Sequence, residues 1–341
     1  MAEQVPQHQL SEKDPAPADN ASFLREQAEL IAQAAERIQP HIRRTPALST
    51  DLDQHLRLKP ECFQVTGSFK VRGAFNAVLK LHAERPETKG VIAVSSGNHA
   101  QALALAARTV GLRAVILIPE DANPAKVAAT RSLGAEVIQH GITFANREEK
   151  LREAIGERGL TLIHPFDDWN VVHGQATAAR ELLEDEPELQ TLAVPTGGGG
   201  LLSGTALSAK IHNPELKVIG VEPESADDAA RSFRTGSIQS LREAPTTLAD
   251  GVRTTAIGSC TYEVAIRRRL VDDIVTVSES EIAEATRAAW LKLKLALEPT
   301  GALPLAAYLA GKLPGANRRV GLLLSGGNFE PATIARLLAT S

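Results

Sequence analysis

The sequence contains little sulfur that could cross-link the chain or bind zinc. Two cysteines, Cys62 and Cys260, lie far apart among 341 residues. Their spacing indicates neither a disulfide framework nor a zinc site, and it favours a reduced, cytoplasmic location. No apolar run approaches membrane-spanning length. Residues 1–20 are polar and proline-rich without the apolar core of a signal peptide, and we expect them to form a disordered N-terminal tail.

The chain also lacks a strong charge of either sign. Its net charge is −4 and its isoelectric point is near 6.2, so electrostatics give no reason to expect nucleic acid as a partner. The composition, 43% hydrophobic and 23% charged, is typical of a globular protein, and the length favours two domains. We find no internal repeat and no coiled-coil pattern.

Short apolar segments alternate with helical patterns from residue 90 onward. Strands are predicted at 91–94, 114–118, 136–139, 161–163, 192–194, 218–221, 274–277 and 320–324. This alternation predicts an α/β fold with parallel sheets and right-handed crossovers. Ser278 and Glu281 predict a capping box for a helix that runs to about Leu297. In such folds, ligands bind at the carboxyl ends of the strands.

Lys70 lies between a small turn and a run of residues compatible with a helix. A lysine is unfavourable at this end of a helix, where the dipole favours anions. A desolvated lysine has a lowered pKa and can attack a carbonyl group as a free amine. The alternative is an ordinary solvated lysine, which is the commoner case for a single residue.

Four consecutive glycines, Gly197–Gly200, follow a predicted strand and precede a predicted helix. Backbone N–H groups can approach an anion closely there, so the segment predicts a phosphate site, with a flexible turn as the alternative. Neither a Walker A motif nor a dinucleotide fingerprint is present, which favours an isolated phosphate. The polar turns at 95–99 and 325–328 also follow strands; they can bind a carboxylate or simply cap their helices.

Taken together, these features meet the needs of pyridoxal phosphate, which requires an imine-forming lysine, a phosphate cup and partners for its ring. The chain resembles the fold-type II pyridoxal-phosphate enzymes of the serine/threonine dehydratase and serine racemase group. The matching segments begin at Gln64, Ser95, Pro195, Ala249, Glu298 and Ser325, in the family's order.

This resemblance implies a tryptophan synthase β-like fold, with two open parallel-sheet α/β domains and the cofactor between them. Residues 21–89 and 167–341 would form the large cofactor-binding domain, and residues 90–166 the small substrate-binding domain. Lys70 would hold the cofactor covalently and act as the base at the substrate Cα. The other cofactor-binding residues implied are Phe69 beside the ring, Asn98 at the phenolic oxygen, Gly197, Gly198, Gly199 and Gly200 at the phosphate, and Ser325 at the pyridine nitrogen.

The substrate-binding residues implied by the resemblance are Ser95, Ser96, His99, Arg147 and Thr254. Ser96 stands where racemases carry a second catalytic group, on the face opposite the lysine, and racemisation requires acid–base groups on both faces. The alternative is that Ser96 only binds the substrate carboxylate.

The loop from Glu222 to Asp228 resembles the divalent-metal loop of the racemase-like branch. Glu222, Asp228 and the carbonyl of Ala226 would bind Mg²⁺, or Ca²⁺ or Mn²⁺. The alternative is a solvated acidic loop.

Some positions depart from the family pattern. The chain is shorter than its relatives between Pro46 and Lys59, which puts the strand expected before the lysine segment in question. Arg253 replaces a lysine and Thr254 a serine. These differences bear on the choice of substrate and on racemisation more than on the cofactor.

Our leading hypothesis is a pyridoxal-phosphate ammonia-lyase that converts L-serine, L-threonine or a related β-hydroxy amino acid to a 2-oxo acid and ammonia. The alternative is a serine or aspartate-type racemase that uses Lys70 and Ser96. A non-enzymatic cofactor-binding relic is a third reading, and cysteine-synthase-type replacement fits the Ser-Gly-Asn-His turn less well. We expect a cytoplasmic homodimer with a small amino-acid substrate and with neither nucleic acid nor membrane as a partner.

Overall fold

A computed structural model describes residues 19–122, 124–313 and 318–339 of the chain. Most of the predicted disordered tail, residues 1–18, lies outside these ranges. Its last two residues belong to the first helix instead. The side chain of Asp19 accepts a hydrogen bond from the backbone N–H of Ser22 at 2.8 Å, and Asn20 begins the helix.

Helices follow most strands along the described part of the chain. They are α1 (Asn20–Ile38), α2 (Lys70–Glu84), α3 (Asn98–Thr109), α4 (Pro124–Ser132), α5 (Arg147–Arg158), α6 (Trp169–Asp185), α7 (Gly200–His212), α8 (Asp228–Thr235), α9 (Ser259–Thr261), α10 (Glu279–Leu291), α11 (Leu303–Leu309) and α12 (Pro331–Ala339).

The strands of the described residues form two sheets. They are β1 (Leu48–Ser49), β2 (Leu56–Pro60), β3 (Val91–Val94), β4 (Ala114–Leu117), β5 (Glu136–Ile138), β6 (Thr161–Leu162), β7 (Thr191–Pro195), β8 (Lys217–Pro223), β9 (Asp273–Val277) and β10 (Val320–Leu324).

One sheet has six strands in the order β1-β2-β10-β7-β8-β9, and the other has four in the order β5-β4-β3-β6. Every pairing is parallel except that of the short edge strand β1 with β2. The predicted α/β fold with parallel sheets is therefore confirmed. Strands β7 and β10 are buried along their whole length, as expected where helices cover both faces of a sheet.

Three local features differ from the sequence-based expectations. The strand before the lysine segment is intact, because β2 pairs with β10 over five residues from Leu56 to Pro60. The capping box of Ser278 and Glu281 is confirmed, but α10 ends at Leu291 and not near Leu297. There the chain turns back through Lys294, which has a φ of 58°. The sequence pattern also did not predict helix α6, which begins at Trp169 after the N-cap Asp168.

The parallel sheets place the polar turns at strand ends, as expected. Strand β3 leads into the turn at 95–97, β7 into the glycine run and β10 into Ser325. Across the described ranges, no helix combines the length and the apolar character needed to cross a membrane.

Candidate active site

Lys70 is the first residue of α2, and its side chain is partly buried. The Lys70 amine donates a hydrogen bond to the backbone carbonyl of Pro165 at 2.8 Å. It also lies 5.2 Å from the ring centroid of Phe69, which is itself buried. Burial lowers the pKa of Lys70 to about 8, and the nearby Glu298 carboxyl opposes this shift only in part. The amine is therefore prepared for attack on a carbonyl group near neutral pH.

The four glycines form a tight cradle between β7 and α7. A Cβ on Gly198 would lie 2.4 Å from the ring of Phe166, and one on Gly199 would lie 2.2 Å from Thr261 Cγ2. Gly199 also has a φ of 86°, a conformation that favours glycine. Among the described residues, none accepts a hydrogen bond from the backbone N–H of Gly199 or Gly200. Buried, unpaired donors at a helix N-terminus fit an anion such as phosphate.

Asn98 is held in place by two partners from distant parts of the chain. Its Nδ2 donates to Glu298 Oε1 at 2.8 Å, and its Oδ1 accepts from Asn328 Nδ2 at 2.8 Å. Asn328 also donates to the backbone carbonyl of Thr66 at 2.6 Å. This network joins the turns after β3 and β10 to the segment just before Lys70.

Glu298 is a buried acid in this network. Burial and the nearby Asp250 raise the pKa of Glu298 to about 8. Sequence reasoning placed Glu298 and Asn328 in matching segments but gave them no role. The sequence contains one signal for Glu298. Its neighbours, such as Leu297 and Pro299, carry no charge that could offset that of the acid.

Ser325 is buried at the end of β10, and its backbone carbonyl accepts a hydrogen bond from the N–H of Phe69 at 3.0 Å. An isolated bridge between Ser68 and Gly326 continues this contact. The structure thus brings Ser325 alongside the segment that carries Lys70.

Ser95 and Ser96 are half-buried in the turn between β3 and α3. His99, one turn further on, is fully buried and its Nε2 lies 2.9 Å from the carbonyl oxygen of Ile163. A carbonyl only accepts, so Nε2 donates, and Nδ1 remains an acceptor without a partner among the described residues. Burial, together with the charge of Lys70, lowers the pKa of His99 to about 3. The ring is therefore neutral and offers a substrate no positive charge.

Arg147 and Thr254 do not hydrogen-bond to the other site residues. Arg147 begins α5 and stacks on Phe144, with its guanidinium carbon 3.5 Å from the ring centroid. Burial lowers the pKa of Arg147, and repulsion from Arg253 adds to the effect. The Oγ1 of Thr254 is buried with no partner among the described residues.

A second polar cluster lies near the end of β8. Glu222 near the end of β8 and Asp228 at the start of α8 are both fully buried. Glu222 accepts hydrogen bonds from the backbone N–H groups of Ala229 and Ala230, at 3.2 and 2.8 Å. Both carboxylate oxygens of Asp228 are without a partner in the described structure.

The electrostatics of this pair fit a divalent cation as a ligand. Burial raises the pKa of Asp228 to about 7. Burial and the charge of Asp228 raise the pKa of Glu222 as well. Orphaned buried carboxylate oxygens are the hard ligands that a divalent cation prefers. Within the described residues, no group of three or more His, Cys, Asp or Glu side chains converges, so a backbone carbonyl such as that of Ala226 would have to complete the ligand set.

Comparison with known proteins decides the family. A profile of the family described as "Pyridoxal-phosphate dependent enzyme" matches residues 38–326. The chain belongs to this family. The chain's own residues fit the cofactor, because Lys70 supplies a partly buried amine and the glycine cradle supplies unpaired N–H donors.

Relatives within the family have several named activities. The chain is 43% identical to L-threo-3-hydroxyaspartate ammonia-lyase of Saccharomyces cerevisiae over 91% of its own length and 95% of the yeast protein. It is 42% identical to serine racemase of Schizosaccharomyces pombe over 91% and 96% of the two chains. The crystal structure of a threonine deaminase from T.th. is 46% identical, with a TM-score of 0.83, over 89% of this chain and 98% of that one.

Proposed function

We propose that this protein is an ammonia-lyase that removes the β-hydroxyl group and the amino group of a β-hydroxy amino acid. The products would be a 2-oxo acid and ammonia, and the substrate would be L-serine, L-threonine or a relative such as 3-hydroxyaspartate. The observation that carries the proposal is the partly buried Lys70 amine, which donates to the Pro165 carbonyl and whose pKa is lowered to about 8. The names of the similar proteins support the same reaction class.

Pyridoxal phosphate, when bound, withdraws electrons from the substrate Cα and so makes the Cα proton acidic. Lys70 would take that proton, and the β-hydroxyl would leave Cβ as water by taking up a proton. Water would then hydrolyse the released enamine product to the 2-oxo acid and ammonia. The N–H groups of Gly197–Gly200 would bind the phosphate, and Asn98 would bind the phenolic oxygen through the N–H that Glu298 does not use. A neutral hydroxyl from Ser325 at the ring nitrogen would leave that nitrogen largely unprotonated, which favours prompt loss of the β-hydroxyl over transamination.

The substrate carboxylate would be bound by the turn of Ser95 and Ser96 at the start of α3. N–H groups at a helix N-terminus favour an anion. His99, being neutral, would shape this pocket by holding the carbonyl of Ile163 rather than by offering charge. Arg147 and Thr254 would also contact the substrate, as the resemblance to the family implies.

A panel of substrates tests the proposal. The purified holoenzyme is incubated with L-serine, L-threonine and L-threo-3-hydroxyaspartate, and 2-oxo acid and ammonia are measured together. We expect equal amounts of the two products from at least one substrate. Alanine, which has no β-hydroxyl, serves as the control and should give neither. A holoenzyme inactive on the entire panel would contradict the proposal and favour a non-enzymatic role.

Racemisation is the second candidate, supported by the 42% identity to a serine racemase and by the half-buried Ser96 in the turn after β3. We expect Ser96→Ala to lower formation of the D-enantiomer by about 10²-fold or more, because one face of the Cα would lose its acid–base group. Oxo-acid formation in the same sample should fall much less. Chiral chromatography measures both. A parallel loss of both products would show that Ser96 only binds the carboxylate.

We also propose that Glu222, Asp228 and the Ala226 carbonyl bind Mg²⁺, with Ca²⁺ or Mn²⁺ as substitutes. The partnerless oxygens of Asp228 support this site. Adding millimolar Mg²⁺ to chelator-treated protein is expected to raise Tm by about 5 °C, since a ligand that binds only the folded state stabilises it. Differential scanning fluorimetry measures the shift.

Two variants control the metal experiment. Asp228→Asn should abolish the Mg²⁺-dependent shift, because an amide binds the cation much less strongly than a carboxylate. Asp227→Asn changes an acid that pairs with Arg231 on the helix surface and should leave the shift intact. A wild-type Tm that changes with neither chelator nor Mg²⁺ would contradict the proposed metal site.

We infer a cytoplasmic homodimer whose residues 90–166 act as the substrate domain. The four-stranded sheet supports this division, because all its strands lie within residues 91–162. Exposed apolar side chains such as Leu291 and Leu309 support an interface between copies. Sedimentation equilibrium checks the dimer, and a strictly monomeric protein at micromolar concentration would contradict it.

A further inference from the structure

Thr261 is a fully buried residue that touches the glycine cradle from behind. Its hydroxyl donates a hydrogen bond to the backbone carbonyl of Gly198 at 2.7 Å. The N–H of Gly258 donates to the same carbonyl at 3.0 Å. No assigned role in the site involves either residue. Directly after Thr261 the chain forms a π-helical turn, Tyr262–Arg267, a feature often found beside functional sites.

These two hydrogen bonds fix the direction of one peptide unit. In a trans peptide the C=O and the following N–H point in opposite directions, and the described chain has no cis peptide bonds. With the Gly198 carbonyl held toward Thr261 and Gly258, the N–H of Gly199 points the other way, away from these two residues. That N–H is one of the donors with no acceptor among the described residues.

Ser203 acts on the next peptide unit in the same way. Its Oγ and its N–H lie 2.9 and 2.8 Å from the carbonyl oxygen of Gly199. This orients the N–H of Gly200 toward the open end of α7. The Ser203 hydroxyl also lies 3.3 Å from Thr261 Oγ1, so the two hydroxyls form one buried group.

We propose that Thr261 is a positioning residue for the cofactor phosphate. It acts through the Gly198 carbonyl and aims the Gly199 N–H at the anion, without touching the anion itself. The inference rests on the proposed function, since it takes the glycine cradle as the phosphate site. Glycine runs are intrinsically flexible, and a buried hydroxyl that pins one carbonyl supplies the order that the cradle's own residues lack.

The contact also explains why only glycine fits at residue 199. A Cβ there would lie 2.6 Å from Thr261 Oγ1 as well as 2.2 Å from Cγ2. Thr261 therefore occupies the space that a side chain at position 199 would need. The close approach places the hydroxyl within reach of the Gly198 carbonyl.

The test compares two ligands on the cofactor-free protein. Pyridoxal 5′-phosphate carries the phosphate and pyridoxal lacks it, while both present the aldehyde to Lys70. Dissociation constants are measured by the absorbance of the lysine adduct. We expect Thr261→Val, which keeps the shape and removes the hydroxyl, to weaken pyridoxal phosphate binding by about tenfold and to leave pyridoxal binding unchanged.

Two further variants serve as controls for this comparison. Thr261→Ser keeps the hydroxyl and should retain the wild-type preference for the phosphorylated ligand. Thr286→Val removes another buried threonine hydroxyl, one that bonds only to its own helix at the carbonyl of Ile282, and should affect neither ligand. If Thr261→Val does not fold, Ser203→Ala removes the other hydroxyl of this buried pair. We expect it to weaken pyridoxal phosphate binding by about threefold.

The outcomes separate this inference from the proposed function. An unchanged dissociation constant for pyridoxal phosphate in Thr261→Val, or an equal loss for both ligands, would overturn the positioning role alone. A wild-type protein that binds the two ligands equally well would show that the cradle does not hold the phosphate. That result would overturn both the cradle and the role of Thr261.

Discussion

Lys70→Ala is expected to lower kcat/KM for the elimination by at least about 10³-fold, because the variant loses both the attachment point of the cofactor and the base at Cα. Borohydride reduction followed by peptide mass spectrometry should find the cofactor on Lys70 in the wild type and on no lysine in the variant. Assays of oxo-acid formation measure the rate. The effect is large because one side chain supplies both functions.

Lys80→Ala is the matched control for this variant. Lys80 lies on the same helix, is partly exposed and is 3.9 Å from Glu84. Its replacement should change neither the rate nor the trapped adduct. Full activity in Lys70→Ala would remove the foundation of the proposed function.

The lowered pKa of Lys70 also predicts a pH dependence that can be measured. Only the neutral amine attacks an aldehyde, so capture of pyridoxal phosphate by the cofactor-free protein should speed up with pH to about 8 and then level off. Because the folded-state pKa lies below the ordinary value of 10.5, the folded protein binds fewer protons than the unfolded chain between about 8 and 10.5. The contribution of Lys70 to stability therefore rises with pH across that window.

Arg72→Met is expected to lower the free energy of unfolding by about 3–5 kcal/mol, the usual cost of removing one partner from a buried ion pair. Arg72 is completely buried two residues after Lys70 and donates to both oxygens of Glu61 at 2.8 Å. It also donates to both oxygens of Glu181, at 2.7 and 2.8 Å. Without it, Glu61 would remain buried with no cation of its own.

The network around Arg72 joins three elements. Glu61 follows β2, Arg72 lies on α2 and Glu181 lies on α6, where Lys59 also reaches it at 2.7 Å. Burial lowers the pKa of Lys59, and the charge of Glu181 opposes this shift. Lysine cannot reproduce the planar, two-sided geometry of arginine, so Arg72→Lys should also destabilise the protein, though less than Arg72→Met.

Urea unfolding followed by circular dichroism measures these changes. Arg44→Met is the control, since Arg44 pairs with Glu184 and Asp185 on the surface, where about half of its side chain is exposed. Such pairs contribute at most about 1 kcal/mol. Equal losses of unfolding free energy in the Arg72 and Arg44 variants would mean that burial does not increase the contribution of the Arg72 network to stability.

The sequence was informative wherever the signal was local. Short runs of three to five mostly apolar residues predicted β3, β7, β8, β9 and β10, since each buried strand carries its own pattern. Ser278 and Glu281 predicted their capping box because the two residues are three positions apart. The order of the motifs around Lys70 and Gly197–Gly200 was enough to indicate the cofactor and the family. The end of α10 was missed because a left-handed turn at Lys294 leaves no clear mark in composition.

The sequence by itself determined the candidate amine, the glycine run and the alternation of strands and helices, because each depends on neighbours along the chain. Only the tertiary structure decided which side chains meet. Glu298 holds Asn98 across 200 positions, and Thr261 reaches Gly198 across 63. Arg72 is enclosed by acids from two other elements. Pairings of this kind depend on how helices and sheets pack, and periodicity along a chain carries no information about which distant residue fills a given space.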